Sequence, residues 1–265
     1  FIGWLAADHT THSLKNDGEA DVKAKPYQTP MMGEVSGTRT LAVLGDMGIV
    51  QSHSLFFGDL WRMGHEVTYV APSDVVLSKY GEAKYDNVVI FSSDIGDLAD
   101  ELTEFMNKGG NIIVATGNDI TNSLRDFAES CGVEFDVDES NVIDHFSFSA
   151  DFDHDKSHTA IISESAVSNS AILKTYVTLP ATQRKVLFKG LGHAVDEKNV
   201  LAVRVLRGNP TSYSANPKQS IDEYPENAGA DTLLVSALQG RNNARLSFAG
   251  SLDMFSNAAY ADEGN

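Results

Sequence analysis

From Thr38 to about Val137 the chain repeats one cycle: a short apolar run without polar alternation, a turn, then apolar residues at helical spacing. Thr40-Leu41-Ala42-Val43-Leu44 begins it. The turn Gly45-Asp46-Met47-Gly48 follows, and Ser54, Leu55, Phe56, Leu60 and Met63 mark a helix stopped by Gly64. Glu66–Val70 and Asn87–Phe91 are further strands. Leu98, Leu102, Phe105 and Met106 define a helix over Asp97–Lys108, ended by Gly109-Gly110. A strand at Ile112–Ala115, a helix over Asn122–Cys131 and a short strand at Val133–Val137 complete the series. A strand that is apolar on both sides must be covered on both sides, and helices between successive strands supply that cover. The pattern predicts a doubly wound α/β fold with a mostly parallel sheet, flavodoxin-like or Rossmann-like.

Beyond Val142 the helical period fades. Thr159–Ile162, Lys185–Lys189, Leu201–Leu206, Thr211–Ser214, Thr232–Leu238 and Arg245–Ala249 read as strands between Gly-, Pro- and Asn-rich turns. They predict a β-rich region that extends the first sheet or packs on it. Four segments result: a lead-in over 1–37, an α/β domain over 38–141, the β-rich region over 142–256 and a tail over 257–265. The lead-in is polar, carries no period and holds Pro26, Pro30, Gly33 and Gly37, which predicts disorder. Its first residues, Phe1 to Ala7, form an apolar stretch ending in small residues. They fit the tail of a secretory signal or an ordinary flexible terminus.

Charge removes one class of function. With 37 acidic and 20 basic residues the net charge is −17, and no basic run exists to track a phosphate backbone, so nucleic acid is excluded as a partner. The single cysteine, Cys131, cannot form an internal disulfide or a paired-cysteine zinc site. No apolar run is long enough to span a bilayer.

In a doubly wound sheet, ligands bind at the carboxyl ends of the strands. The first such loop, Gly45-Asp46-Met47-Gly48, lacks the glycine spacing that admits a pyrophosphate and the Gly-Lys-Ser/Thr ending of a P-loop. The turn where a hydrolase would place its nucleophile, Ala115-Thr116-Gly117-Asn118-Asp119, carries no Ser or Cys. Cys131, at a helix end, reads as core. His53, Ser54 and Asp46 can be drawn as a triad, but adjacent helix residues diverge, and Ser52 or Ser54 serves better as a helix cap. Asp151-Phe152-Asp153-His154-Asp155-Lys156-Ser157-His158 holds metal-ligand types without a helical His pair, and reads as a solvated loop. Trp61, in an apolar helix, reads as core.

Several short stretches share a likeness, in order, from about Thr38 to Ser256. They include Ser54-Leu55-Phe56-Phe57, Lys79-Tyr80-Gly81-Glu82, Tyr85-Asp86-Asn87, Ser130-Cys131-Gly132-Val133-Glu134-Phe135 and Val142-Ile143-Asp144-His145. Phe188-Lys189-Gly190, Thr211-Ser212-Tyr213-Ser214, Arg241-Asn242-Asn243-Ala244-Arg245 and Gly250-Ser251-Leu252-Asp253 continue it. Together they resemble the 48 kDa subunit family of the oligosaccharyltransferase complex. The resemblance implies the luminal part of a type I endoplasmic reticulum membrane protein, anchored by a C-terminal helix not contained in this sequence. It implies a non-catalytic, pseudoenzyme-like subunit that supports assembly and stability of the machine transferring a dolichol-linked oligosaccharide to Asn-X-Ser/Thr. It further implies a fold similar to class I glutamine amidotransferase domains, no cofactor or metal, no catalytic residue, and the other subunits, the catalytic one included, as partners. The one Asn-X-Ser/Thr triplet, Asn209-Pro210-Thr211, is disqualified as an acceptor by its proline. The alternative is a carbohydrate- or nucleotide-handling enzyme, or a lectin-like module, using the strand-end crevice.

One polar group remains. Arg241, Asn242, Asn243 and Arg245 enter an otherwise buried strand with many donors and no nucleophile. Two readings stand: hydrogen bonding internal to a strand end, or an interaction cluster that fixes this loop and reaches Asp253 or a neighbouring subunit.

Overall fold

The computed structural model describes residues 37–163, 165–166, 185–196, 198–222, 224–225 and 227–260. The lead-in before Gly37 and the tail beyond Tyr260 lie outside the described residues.

Sixteen strands occur among the described residues, and ten of them form one mixed sheet. Its parallel half consists of β1 (Thr38–Leu44), β2 (His65–Val70), β5 (Asn87–Phe91), β6 (Asn111–Ala115) and β16 (Arg245–Ala249). These lie side by side in the order β2-β1-β5-β6-β16, all parallel. Between β2 and β5 sits a two-stranded hairpin, β3 (Ser78–Lys79) with β4 (Glu82–Ala83). Tyr80 and Gly81 at its tip both have positive φ, 55° and 85°, as a primed hairpin turn requires.

The β-rich region extends this sheet. β15 (Leu233–Gln239) pairs antiparallel with β16, β13 (Ala202–Arg207) with β15, and β10 (Ser165–Ala166) with β13. β12 (His193–Val195) bridges β15 and β7 (Val133–Phe135). Two small sheets lie off it: β8 (Asn141–Ile143) with β14 (Tyr213–Ala215), and β9 (Ile161–Ser163) with β11 (Val186–Phe188). Everything between β6 and β16 is therefore inserted between the fourth and fifth parallel strands.

Period-two geometry divides the core into two layers. Leu41, Val43, Ile90, Val114 and Phe248 point to one face, where Leu102 and Phe105 of one helix (Ala99–Asn107) and Leu124 and Phe127 of the next (Asn122–Ser130) close over them. Ala42, Leu44, Val89, Phe91 and Ala249 point to the other face. There Phe56, Phe57 and Leu60 of the Ser54–Arg62 helix and Val142, Ile161 and Phe188 of the inserted strands complete the layer.

Two local expectations are corrected. Trp61 is 57% exposed. The buried stripe of its helix is Phe56, Phe57 and Leu60, and a residue directly after Leu60 is rotated by about 100° away from that stripe. Neither Ser52 nor Ser54 caps a helix with its side chain. The free Leu55 N–H is instead taken by Asn257 Oδ1 at 2.9 Å, while Asn257 Nδ2 donates to Gln51 O and Ser54 Oγ. The cap comes from two hundred residues away, which no local sequence rule can see.

Candidate functional site

The chain leaves β1 toward β2 on one side and returns to β5 on the other, so neighbouring strand-end loops diverge and leave a crevice. Its walls are the loops after β1, β5, β6 and β16. Residues Asn141, Lys189 and Gly190 of the inserted region also border it, around a cavity of about 680 Å³.

Carboxylates dominate the lining: Asp46, Asp94, Asp119 and Asp253, against the single cation Lys189. Asp46 Oδ1 accepts the Gly48 N–H at 2.6 Å, closing the turn before a short helix (Ile49–Ser52). Asp94 Oδ1 accepts the Gly96 N–H at 3.0 Å, the Ser123 hydroxyl at 2.7 Å and the Thr121 hydroxyl at 3.1 Å. Those donors, the Gly96 N–H foremost, hold its carboxyl below the usual range, so it stays ionised at neutral pH. Ser93 Oγ donates to Asp119 Oδ1 at 2.5 Å, and Ser92 Oγ to the Asp94 carbonyl at 2.6 Å.

The histidine beside this crevice is already engaged. His53 is buried, with Nδ1 at 2.9 Å from Ser52 Oγ and Nε2 at 3.2 Å from Leu252 O. Neither ring nitrogen bonds Ser54 or Asp46, so the triad drawn from sequence is not assembled. In the elbow turn Thr116 is fully buried and its hydroxyl donates to Gly117 O. Cys131 packs against the helix-covered core, and burial pushes its thiol up, away from the thiolate. The crevice can bind and orient polar groups, and the Ser93, Thr121 and Ser123 hydroxyls are already engaged by the Asp119 and Asp94 carboxylates.

Arg241, Asn242, Asn243 and Arg245 stand at the opposite end of the sheet. Asn242 Nδ2 donates to Met106 O at 2.8 Å and Asn107 O at 3.1 Å, two carbonyls at the end of the Ala99–Asn107 helix, the first of which also accepts the Gly109 N–H, while its Oδ1 accepts the Ala244 N–H. Asn243 holds φ of 68° in the tight turn. Arg245 is buried, with its N–H on Asn111 Oδ1 at 3.1 Å; Arg241 faces solvent. Asp253 follows β16 and lines the crevice, so the five-residue strand separates it from the others by roughly 16 Å. The cluster fixes its loop and does not reach Asp253.

The most connected carboxylate was not among the sequence candidates. Asp144 is fully buried and accepts from the Phe146 and Ser147 N–H groups, from Asn209 Nδ2 at 3.0 Å and from Thr211 Oγ1 at 2.9 Å. Donors from the protein outweigh burial and lower its pKa. The only local hint was an Asp directly after an apolar strand triplet, and its partners lie about 65 residues on. In the acidic loop, Asp153 and Asp155 accept from the N–H groups of His158 and Ser157. Among the described residues, no three His, Cys, Asp or Glu side chains converge as a metal site would require.

Comparison with known proteins places this architecture. A family model described as OST48, N-terminal domain, matches residues 32–265. The dolichyl-diphosphooligosaccharide–protein glycosyltransferase 48 kDa subunit of Danio rerio is 38% identical over 229 residues, 84% of this chain and 51% of the relative. Its Drosophila melanogaster counterpart is 38% identical over 231 residues, covering 83% and 51%, and that of Arabidopsis thaliana 36% over 227 residues, covering 82% and 51%. The chain thus spans about half the length of the curated relatives it matches. Among solved structures, the mmIFT52 N-terminal domain superposes with a TM-score of 0.60 over 85% of this chain and 91% of its own, at 14% identity, which is a likeness of fold alone. With most of its length matched by that family model and by relatives at this identity, the chain belongs to the OST48 N-terminal domain family.

Proposed function

We propose that this chain is the luminal, non-catalytic part of an oligosaccharyltransferase subunit, supporting assembly and stability of the complex in the endoplasmic reticulum membrane. The observation that carries the reading is the 36–38% identity to proteins named as the 48 kDa subunit of that glycosyltransferase in two animals and a plant. The crevice supports the non-catalytic half of it: Ser92 and Ser93 spend their hydroxyls on a carbonyl and a carboxylate, and Asp94 is held ionised. The strand order β2-β1-β5-β6-β16 is the second, first, third, fourth and fifth parallel strand in chain order. It supports a flavodoxin-like assignment for the parallel half, with the amidotransferase-like crevice retained and its nucleophile missing. Among the described residues no helix is long and apolar enough to cross a membrane.

On this reading the partners are the other subunits, the catalytic one among them. Arg241 is the exposed cation of the strand-entry cluster, suited to a partner's carboxylates or carbonyls, with Asn242, Asn243 and Arg245 shaping the turn that carries it and Asp253 marking a second contact at the crevice. Recovery of the tagged full-length protein from a detergent extract tests the assignment. The catalytic subunit should co-purify in stoichiometric amount, and its consistent absence sinks the proposal. Replacing Arg241 by Lys keeps the charge and removes the fork. It should weaken that recovery without lowering the melting temperature, and unchanged recovery removes Arg241 from the interface.

A further inference from the structure

Away from the crevice, where the loop after β8 meets the loop before β9, two histidines face each other. His145 Nδ1 lies 2.5 Å from His158 Nδ1, with the rings at 82° and their centroids 4.8 Å apart. That separation is shorter than an ordinary N–H···N bond and leaves room for a single proton between two lone pairs.

Each ring is fixed independently. His145 Nε2 sits 2.9 Å from Tyr213 Oη; in the tautomer whose proton is on Nε2, that N–H is donated outward to Oη and the inward Nδ1 keeps its lone pair. His158 stacks on Phe148 at 4.2 Å and 23°. Its backbone is held at φ of 57°, a conformation unusual for any residue but glycine, while its N–H is anchored on Asp153 at 2.9 Å. Asp144, immediately before His145, is tied to the Asn209–Thr211 turn and supports the loop that carries the first ring.

We propose that His145 and His158 form a two-histidine site for a borderline divalent transition ion such as Zn²⁺, with water completing the shell and Tyr213 orienting the first ring. Neutral imidazole nitrogens are the preferred donors for such ions. Zn–N bonds of about 2.0–2.1 Å in a tetrahedral shell place two nitrogens about 3.3 Å apart, so the rings need to part by less than about 1 Å. The ion replaces the shared proton, which moves to the outward Nε2 of His158. An outward ring N–H held by a neighbouring group is the usual companion of a metal-bound imidazole, and Tyr213 stands in that position for His145. With two protein donors the site is exchangeable rather than structural, and it is open to solvent because His145 is exposed.

The test is calorimetric titration of the chelator-treated chain with Zn²⁺ alone, repeated with Cu²⁺ and with Mg²⁺. One equivalent of Zn²⁺ should bind saturably, Cu²⁺ more tightly, and Mg²⁺ not at all. His145→Gln or His158→Gln should each weaken binding by at least about tenfold, and Tyr213→Phe by about tenfold, in line with loss of a ligand or of its orienting partner. His154→Gln, an exposed histidine of the same loop, should change nothing. Circular dichroism of each variant checks that the fold is retained. Wild-type affinity in the His145→Gln, His158→Gln double variant would place the metal elsewhere and overturn the proposal. So would no saturable Zn²⁺ binding by the parent chain, which would leave the pair as a shared-proton contact only.

Discussion

His193, on β12 between β15 and β7, has no exposed surface, its Nε2 at 2.8 Å from Ser236 Oγ and its Nδ1 without a partner. Burial alone lowers its pKa to about 3, from 6.5. Between those values the unfolded chain binds a proton that the native ring refuses, so this group's contribution to stability is lost as pH falls from 6.5 and is complete above it. His65 is shifted the same way by burial, whereas burial raises Asp136, whose contribution runs in the opposite sense and is lost as pH rises through its folded pKa. Replacing His193 by Gln removes the first contribution while retaining a partner for Ser236. The melting temperature of the variant should therefore depend less on pH than that of the parent between about pH 4 and 6.5, and parallel curves would contradict this. Asn242 and Asn243 act locally. Asn242→Ala removes the side-chain donor from two helix-end carbonyls, leaving Met106 O with the Gly109 N–H, and should cost about 1 kcal/mol in denaturant unfolding. Asn243→Val forces a branched side chain to φ of 68° and should cost about 1–2 kcal/mol, while Asn243→Gly should be nearly neutral.

Two backbone segments cross where β16 ends. The Leu191 N–H donates to Gly250 O at 2.8 Å, and a Cβ at Gly190 would lie 2.0 Å from that same oxygen, one at Gly250 1.9 Å from Leu191 O. The atoms in the way are backbone, so neither side can yield without parting the inserted region from the parallel sheet. Gly190→Ala and Gly250→Ala should each destabilise by roughly 3 kcal/mol or more, read as a lower denaturant midpoint, and a midpoint within error of the parent would refute the close approach. At this same scale lies the limit of what sequence periodicity reveals. Four of the parallel strands were legible as apolar runs between helices; Arg245–Ala249 was read as a strand of the β-rich region and stands instead fifth in the parallel sheet, whereas Val133–Phe135, read into the parallel series, pairs antiparallel with β12. The Ser78–Ala83 hairpin was passed over because two-residue strands carry no period. Trp61 was misjudged because hydrophobicity reports residue type, whereas exposure depends on where the helix stripe ends. The Asn257 cap, the Asp144 hub and the His145–His158 pair were invisible for one reason: each joins residues far apart in the chain or rests on a loop conformation that no pattern encodes.

Across the molecule, the inserted strands enlarge a parallel sheet and bring Asn141, Lys189 and Gly190 to the edge of its crevice, while the crevice loops bind their own hydroxyls. A net charge of −17 disfavours association with polyanions. Membership of the OST48 family and the lack of a Ser or Cys in the elbow turn were legible in the sequence, whereas the engagement of the His53 ring by Ser52 and Leu252 and the burial of Thr116 depend on the folded chain. The central claim is that this subunit sustains a glycosyl transfer it does not perform. The measurement that tests it most directly is transfer of a lipid-linked oligosaccharide to an Asn-X-Thr peptide, assayed with the complex recovered on the tagged full-length protein and, beside it, with this chain alone. The account predicts transfer by the complex and none by the chain. Turnover by the isolated chain, abolished when Asp94 or Asp119 is replaced by Asn, would contradict it and make the crevice an active site.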